Sequence, residues 1–413
     1  MSNQIEWINA LSTKVSLEAA INEVVEKVTT SLSKTPDLGI VFISSAYTSD
    51  YPRLMPLLLE KLPLPCVIGC GGGGIVGMND HQEAREIEGN PALSLTVANL
   101  PNVEITPFLI SGEEIPDLDS PPQQWCNLVG VPTEKQPDFV LLADPFTSKI
   151  NELIEGLDFA YPGSVKVGGL ASASTMGVAS ALFFYSHSTS SEQFLFSQGT
   201  VGIALSGDIT LETIVAQGCR AIGETYQVTQ GERNVIIELS DHKGKKDAPL
   251  NLVRELVSSL SETDQQLAQH SLFIGIARDE FKLELGHGDF LIRNLVGVDP
   301  KYGAVAVGDR IRTGQRVKFH LRDGDASLQD LKTLLGNYQK NHPPKSACGA
   351  LMFSCLGRGE GLYLRPNVDS LLFQDFLPNT PLGGFFCNGE IGPVGNSTFL
   401  HGYTSVFGIF TRK

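Results

Sequence analysis

Residues 37–74 read DLGIVFISSAYTSDYPRLMPLLLEKLPLPCVIGCGGGG. The run 38–44 is apolar throughout, as expected of a strand covered on both faces. Polar residues 44–50 form a loop, 54–62 carry an apolar helical stripe, 66–69 give a second short strand, and glycines follow. The same order returns twice. Residues 139–143, 144–148, 149–157 and 165–167 are strand, loop, helix and strand before Gly168-Gly169. Residues 350–354, 355–361 and 368–376 repeat it before Gly383-Gly384, with Asn367 where a helix cap belongs and Asn388-Gly389 closing the unit. Strand start to glycine pair takes about 30 residues, the length of a βαβ unit.

Around these units the chain has an extended piece at 5–11 and a helix after the candidate cap Ser16. Leu17, Ile21, Val24, Val25, Val28 and Leu32 lie on one face of that helix, and Pro36 ends it. Short apolar runs at 93–97, 103–110, 181–186, 199–205, 209–216, 234–239 and 272–277 predict added strands. Residues 290–298 and 304–307 flank a turn at 299–303, and helices are expected at 249–260 and 325–338. The predicted fold class is α/β: repeated strand-helix-strand units with added antiparallel strands, sheets flanked by helices, in two closely packed halves. The expected division is 1–36 as an opening strand and helix, 37–240 as a first domain and 241–413 as a second. The polar turn DHKGKKD at 241–247 marks the join.

Composition narrows the function. Lys and Arg total 31 against 46 Asp and Glu, a net charge of −15 over 413 residues. Nucleic acid and anionic membrane both call for a basic face, so neither is an expected partner. No apolar run reaches the ~18 residues of a membrane span, and the first residues lack a signal-peptide pattern. Seven cysteines without a CxxC pair argue against a secreted disulfide framework, so a cytoplasmic location is expected. His81 lies near Glu83, but no HExxH or zinc-type cysteine set occurs, and no cofactor is expected. Other histidines, His287 among them, are scattered.

Glycine supplies the first candidate site. Cys70, Gly71, Gly72 and Gly73 follow a strand, where successive amides free of side chains could hold an anion. Gly168 and Gly169 end the second unit in the same way. The competing reading is a tight turn that lets strands pack. No GxxxxGK[ST] is present, and no helix opens after the glycines as a dinucleotide fingerprint needs. In the third unit Arg358 offers a fork suited to a carboxylate. The stretch 385–403, FFCNGEIGPVGNSTFLHGY, holds Asn388, Glu390 and His401. An acid and an imidazole could do acid–base work or bind an amine and a carboxylate, and each could equally be a hydrogen-bonded loop or strand residue. Cys219 beside Arg220 is the candidate thiol nucleophile, set against a buried structural cysteine.

These residues resemble a known family. GEIGPVG at 389–395 with TFLHG at 398–402 is similar to the closing signature of the FIST (F-box and intracellular signal transduction) C domain, and SCLGRG at 354–359 to the segment before it. LVGVDP at 295–300 and VGD at 307–309 resemble its hairpin. ALSGD at 204–208, QGCR at 217–220 with Ile222-Gly223, and VIGC at 67–70 resemble the FIST N domain. The resemblance runs from about residue 37 to the end. It implies an intracellular sensory module for a small ligand, with amino acids or their derivatives as proposed ligands. Only three residues follow Phe410 and no output domain is expected ahead of the first helix, so the expectation is that any signal passes through a separate signalling protein. Family members carry a small residue, often glycine, where this chain has Cys387. The function expected is small-ligand binding, of an amino acid or other carboxylated metabolite, in signal transduction. The alternatives are an enzyme using Cys219 or a Glu390/His401 pair, and a scaffold.

Overall fold

The computed structural model describes residues 4–174, 179–188, 193–286, 288–342 and 347–413; His287 lies outside them. The chain divides into two compact units, residues 1–216 with 332–413, and residues 217–331.

The larger unit is a threefold repeat. Its three six-stranded sheets share one strand order. The first runs Glu6–Ser12, Leu93–Asn99, Leu38–Ser44, Cys66–Gly72, Leu182–Ser186, Leu195–Phe196. The second runs Val103–Ile110, Thr200–Gly207, Asp138–Ala143, Lys166–Leu170, Glu390–Val394, Ser397–His401. The third runs Thr210–Ala216, Ser405–Thr411, Ala347–Cys355, Leu382–Cys387, Gly74–Met78, Ala84–Glu88. In each, the two central strands are the parallel pair predicted from sequence, joined by the helices Tyr51–Lys61, Ile150–Ala160 and Val368–Phe376. Antiparallel strands flank them.

The hairpin that completes each sheet comes from a different repeat. Gly74–Met78 and Ala84–Glu88 leave the first repeat and join the third sheet; Glu390–Val394 and Ser397–His401 leave the third and join the second. Leu182–Ser186 leaves the second and joins the first. The exchange is cyclic, so the three repeats close on one another.

One cause explains the recurring glycines. They lie inside the second parallel strands and not after them, which corrects the reading of Gly168-Gly169 and Gly383-Gly384 as strand ends. A Cβ at Gly69, Gly168 or Gly384 would fall under 3.0 Å from the carbonyl oxygen of Val41, Leu141 or Met352 on the neighbouring strand. All three stand at the same position of the repeat.

Inward faces of the sheets share a core that includes Phe42, Cys70, Ile75, Leu142, Leu182, Phe353, Phe385 and Cys387, with Phe42 stacked on Phe385 at 5.0 Å. Helices cover the outer faces: Leu17–Ser31 and Tyr51–Lys61 on the first, Pro122–Val129 and Ile150–Ala160 on the second, Val368–Phe376 on the third. Ser16 caps its helix as predicted, its hydroxyl accepting the Ala19 amide at 3.2 Å. Asn367 precedes its helix without a side-chain cap; its Oδ1 takes the Glu86 amide of the exchanged hairpin at 2.6 Å.

The smaller unit, by itself, is an antiparallel seven-stranded sheet. Cys219–Glu232 pairs with both Arg316–Arg322 and Val235–Ser240, which closes six of the strands into a barrel. Helices Pro249–Ser259 and Glu262–Ser271 pack into its core through Leu252 and Ala268. Among the described residues no helix is long and apolar enough to cross a membrane.

Candidate functional site

The ends of the three second strands meet. The Ser172 amide donates to Gly71 O at 3.1 Å and the Asn388 amide to Leu170 O at 3.0 Å. At the third step of this cycle the Ser172 hydroxyl stands between the partners, accepting from the Gly73 amide at 2.9 Å and donating to Phe386 O. Gly71, Gly72, Gly73, Gly169 and Asn388, distant in sequence, therefore lie at one junction. Their glycines serve close approach: a Cβ at Gly169 would overlap Cys387, and one at Gly73 would overlap Leu356.

The repeats differ where each first strand ends. Ser44, Asp144 and Cys355 are equivalent, since their amides donate to Ala92 O, Gly199 O and Thr404 O, each at 2.9 Å. The return bond is made in the first two repeats by the residue itself: Ser44 Oγ accepts the Ala92 amide at 3.0 Å and Asp144 Oδ2 the Gly199 amide at 2.6 Å. In the third, Glu390 Oε2 accepts the Thr404 amide at 3.1 Å.

Glu390 is thus the exceptional residue. It pairs in register with Gly169, at the place that Leu182 and Ile75 fill in the other sheets. Two repeats put an aliphatic side chain into the core there; the third puts a carboxyl group with no exposure, whose Oε1 has no hydrogen-bond partner among the described residues. Burial pushes its pKa well above the carboxylate range, while the Thr404 amide, Arg358 and the Cys355 thiol pull less strongly the other way. A buried, under-satisfied acid of this kind costs stability and so points to a task.

Arg358 lies beneath the loop after Cys355, with no exposure. Its Nε and Nη2 donate to Asp369 at 2.7 and 3.0 Å, and Nη2 also to the Tyr363 hydroxyl at 2.6 Å. That hydroxyl donates to Asp369 Oδ1 at 2.7 Å. The guanidinium fork is engaged within the protein. Sequence reasoning missed both partners: they lie five and eleven residues on, in the short helix Glu360–Tyr363 and the helix Val368–Phe376, and no spacing rule marks them.

Glu86, from the exchanged hairpin, completes the buried cluster. Its Oε1 accepts the Ser370 amide at 2.7 Å and its Oε2 has no partner among the described residues. Burial, with Asp369 nearby, raises its pKa from 4.5 to about 8. Because the folded value lies above the unfolded one, the native state binds this proton more tightly. The stability it supplies is present below about pH 4.5 and is lost as pH climbs toward about 8. Melting temperature is therefore expected to fall across that window, and Glu86→Gln to flatten the fall. An unaltered pH profile in the variant would contradict this assignment.

The remaining candidates are placed as follows. His401 faces Glu390 across the hairpin, and its Nε2 donates to Gly392 O at 3.0 Å. Cys70 is fully buried in the core. Gly168 is an in-strand packing position one residue before Gly169. Cys219 is buried in the smaller unit, and Arg220 there pairs with Asp323 at 2.8 Å and with Asp264. Two cavities of about 690 and 560 Å³ lie elsewhere in the larger unit, one beside Trp7, Tyr338 and Phe376 and the other beside Glu23, Lys27 and Asp80. None of the sequence-derived residues lines either.

Comparison with known proteins identifies the family. The FIST N domain profile matches residues 37–242 and the FIST C domain profile residues 249–393. The chain belongs to the FIST family, whose domains are associated with signal transduction and small-ligand sensing. An uncharacterised protein of Mycobacterium tuberculosis is 32% identical over 380 residues, 91% of each chain. Human F-box only protein 22 is 40% identical over 72 residues, 17% of this chain and 16% of that one. A cyanuric acid hydrolase from A. caulinodans aligns over 98% of this chain and 99% of its own at 7% identity, with a TM-score of 0.32, from which nothing follows here.

Proposed function

We propose that this protein is a sensor for a small amine-bearing metabolite, an amino acid or a related carboxylated amine, and signals through a separate protein. Glu390 carries the reading: here the repeat exchanges an aliphatic core residue for a fully buried carboxyl group with an oxygen that has no partner among the described residues. A ligand ammonium next to Glu390 would supply the missing donor and draw the carboxyl to its charged form. Arg358 is tied to Asp369 and contributes a fixed positive charge toward which the ligand carboxylate is drawn. The ligand enters under residues 355–359, where Leu356 is exposed and Gly357 partly so.

The test is a thermal-shift screen of amino acids, amines and organic acids. Ligand at a hundredfold excess over Kd stabilises by about 2.7 kcal/mol. Amine-bearing compounds are expected to raise the melting temperature of the wild type and to lose that effect in Glu390→Gln. A shift of the same size in the variant removes Glu390 from the site; a response to organic acids alone overturns the amine assignment.

A further inference from the structure

Cys355 and Cys387 are register partners on the parallel strands Ala347–Cys355 and Leu382–Cys387. Residues so paired point to the same face, and adjacent strands lie about 4.7–4.9 Å apart. That spacing falls within the Cα separation of about 4.4–6.8 Å that a disulfide spans. Both thiols are reduced. Cys387 is fully buried, and the missing side chain of Gly169 leaves room for its sulfur. Cys355 is partly exposed and is the last residue of its strand, so the short loop behind it can yield the small closure that joining the sulfurs needs.

The repeat adds a reason to single out Cys355. Ser44 and Asp144 at its place are occupied in accepting the opposing amide, a task that Glu390 performs in the third repeat. The Gly357 amide instead donates to Cys355 Sγ at 3.4 Å, and the thiol also hydrogen-bonds the Glu390 carboxyl group.

We propose that Cys355 and Cys387 form a redox-modification site at which a hydroperoxide converts the two thiols into a reversible disulfide. The Cys355 thiolate attacks a peroxide oxygen and the O–O bond breaks, leaving Cys355 sulfenic acid and, for hydrogen peroxide, water. The Cys387 sulfur then attacks the sulfenic sulfur; the S–S bond forms, and the hydroxyl leaves as a second water with the Cys387 proton. Two thiols are oxidised by one peroxide, which is reduced to two waters. Cys387 is buried and meets the oxidant only through Cys355. Both thiols border Glu390, but the thiol chemistry does not require a bound ligand.

The test treats the full native chain with stoichiometric hydrogen peroxide, blocks remaining thiols and maps peptides. The expected result is one linked pair, Cys355 with Cys387, a loss of two hydrogens in intact mass, and recovery with dithiothreitol. Cys348→Ser, which removes the other partly exposed cysteine, is expected to leave the link intact. Cys387→Ala, verified as folded by its melting curve, should stop at a Cys355 sulfenic acid trapped by dimedone. Both thiols still reduced after treatment, over-oxidation of Cys355 without a link in the wild type, or linkage to another cysteine would overturn the proposal.

Discussion

Arg358→Ala is expected to lower the unfolding free energy by about 3–5 kcal/mol, the cost of stripping a buried ion pair of one partner. The guanidinium and Asp369 are both without meaningful exposure, at 0% and 1%, and the Tyr363 hydroxyl bridges them. Removing the cation leaves an uncompensated carboxylate beside Glu86, whose own charge is already disfavoured there. Chemical denaturation measures the loss. The paired change Arg358→Met with Asp369→Leu should recover much of it, because no lone charge then stays buried. A loss below about 1 kcal/mol, the scale of an exposed pair, would show that the cluster is open to water.

The second large effect is steric. Gly168→Ala and Gly384→Ala should each cost more than about 3 kcal/mol or abolish folding, beyond the usual range for overpacking. Each new Cβ would press on the backbone carbonyl of the adjacent strand, which cannot swing aside as a side-chain tip could. Gly361→Ala is the control: among the described residues nothing lies within 4 Å of a Cβ added there, so a change within about 0.5 kcal/mol is expected. Equal and small losses at all three would refute a shared packing role for the in-strand glycines.

These two results bear on what the sequence made legible. The strand-helix-strand units could be read because apolar runs, polar loops and glycine pairs return in the same order. The hairpin exchange could not, because a strand pattern gives the faces of a strand and not its partner. Ile75 and Leu182 look like any buried strand residues until the register shows that Glu390 is their counterpart. The glycines read from sequence as an anion contact or a tight turn, and their packing role at Gly69, Gly168 and Gly384 is hidden because the oncoming carbonyl that forbids a side chain belongs to another strand. Arg358 was legible as unusual, and its engagement with Asp369 was not. The barrel of residues 217–331 left separate strand signals but no sign of closure.

The cyclic exchange has a consequence for biosynthesis. Strand Lys166–Leu170 receives its outer neighbour only from Glu390–Val394, more than two hundred residues later in the chain. On the ribosome, the second sheet must therefore wait with a bare margin while those residues are made, exposed to pairing with other nascent chains. A chaperone able to shield that margin would act on this protein before residues 390–394 emerge, and a stop ahead of them would leave the second sheet open along one side and strip the third of strand Ser405–Thr411.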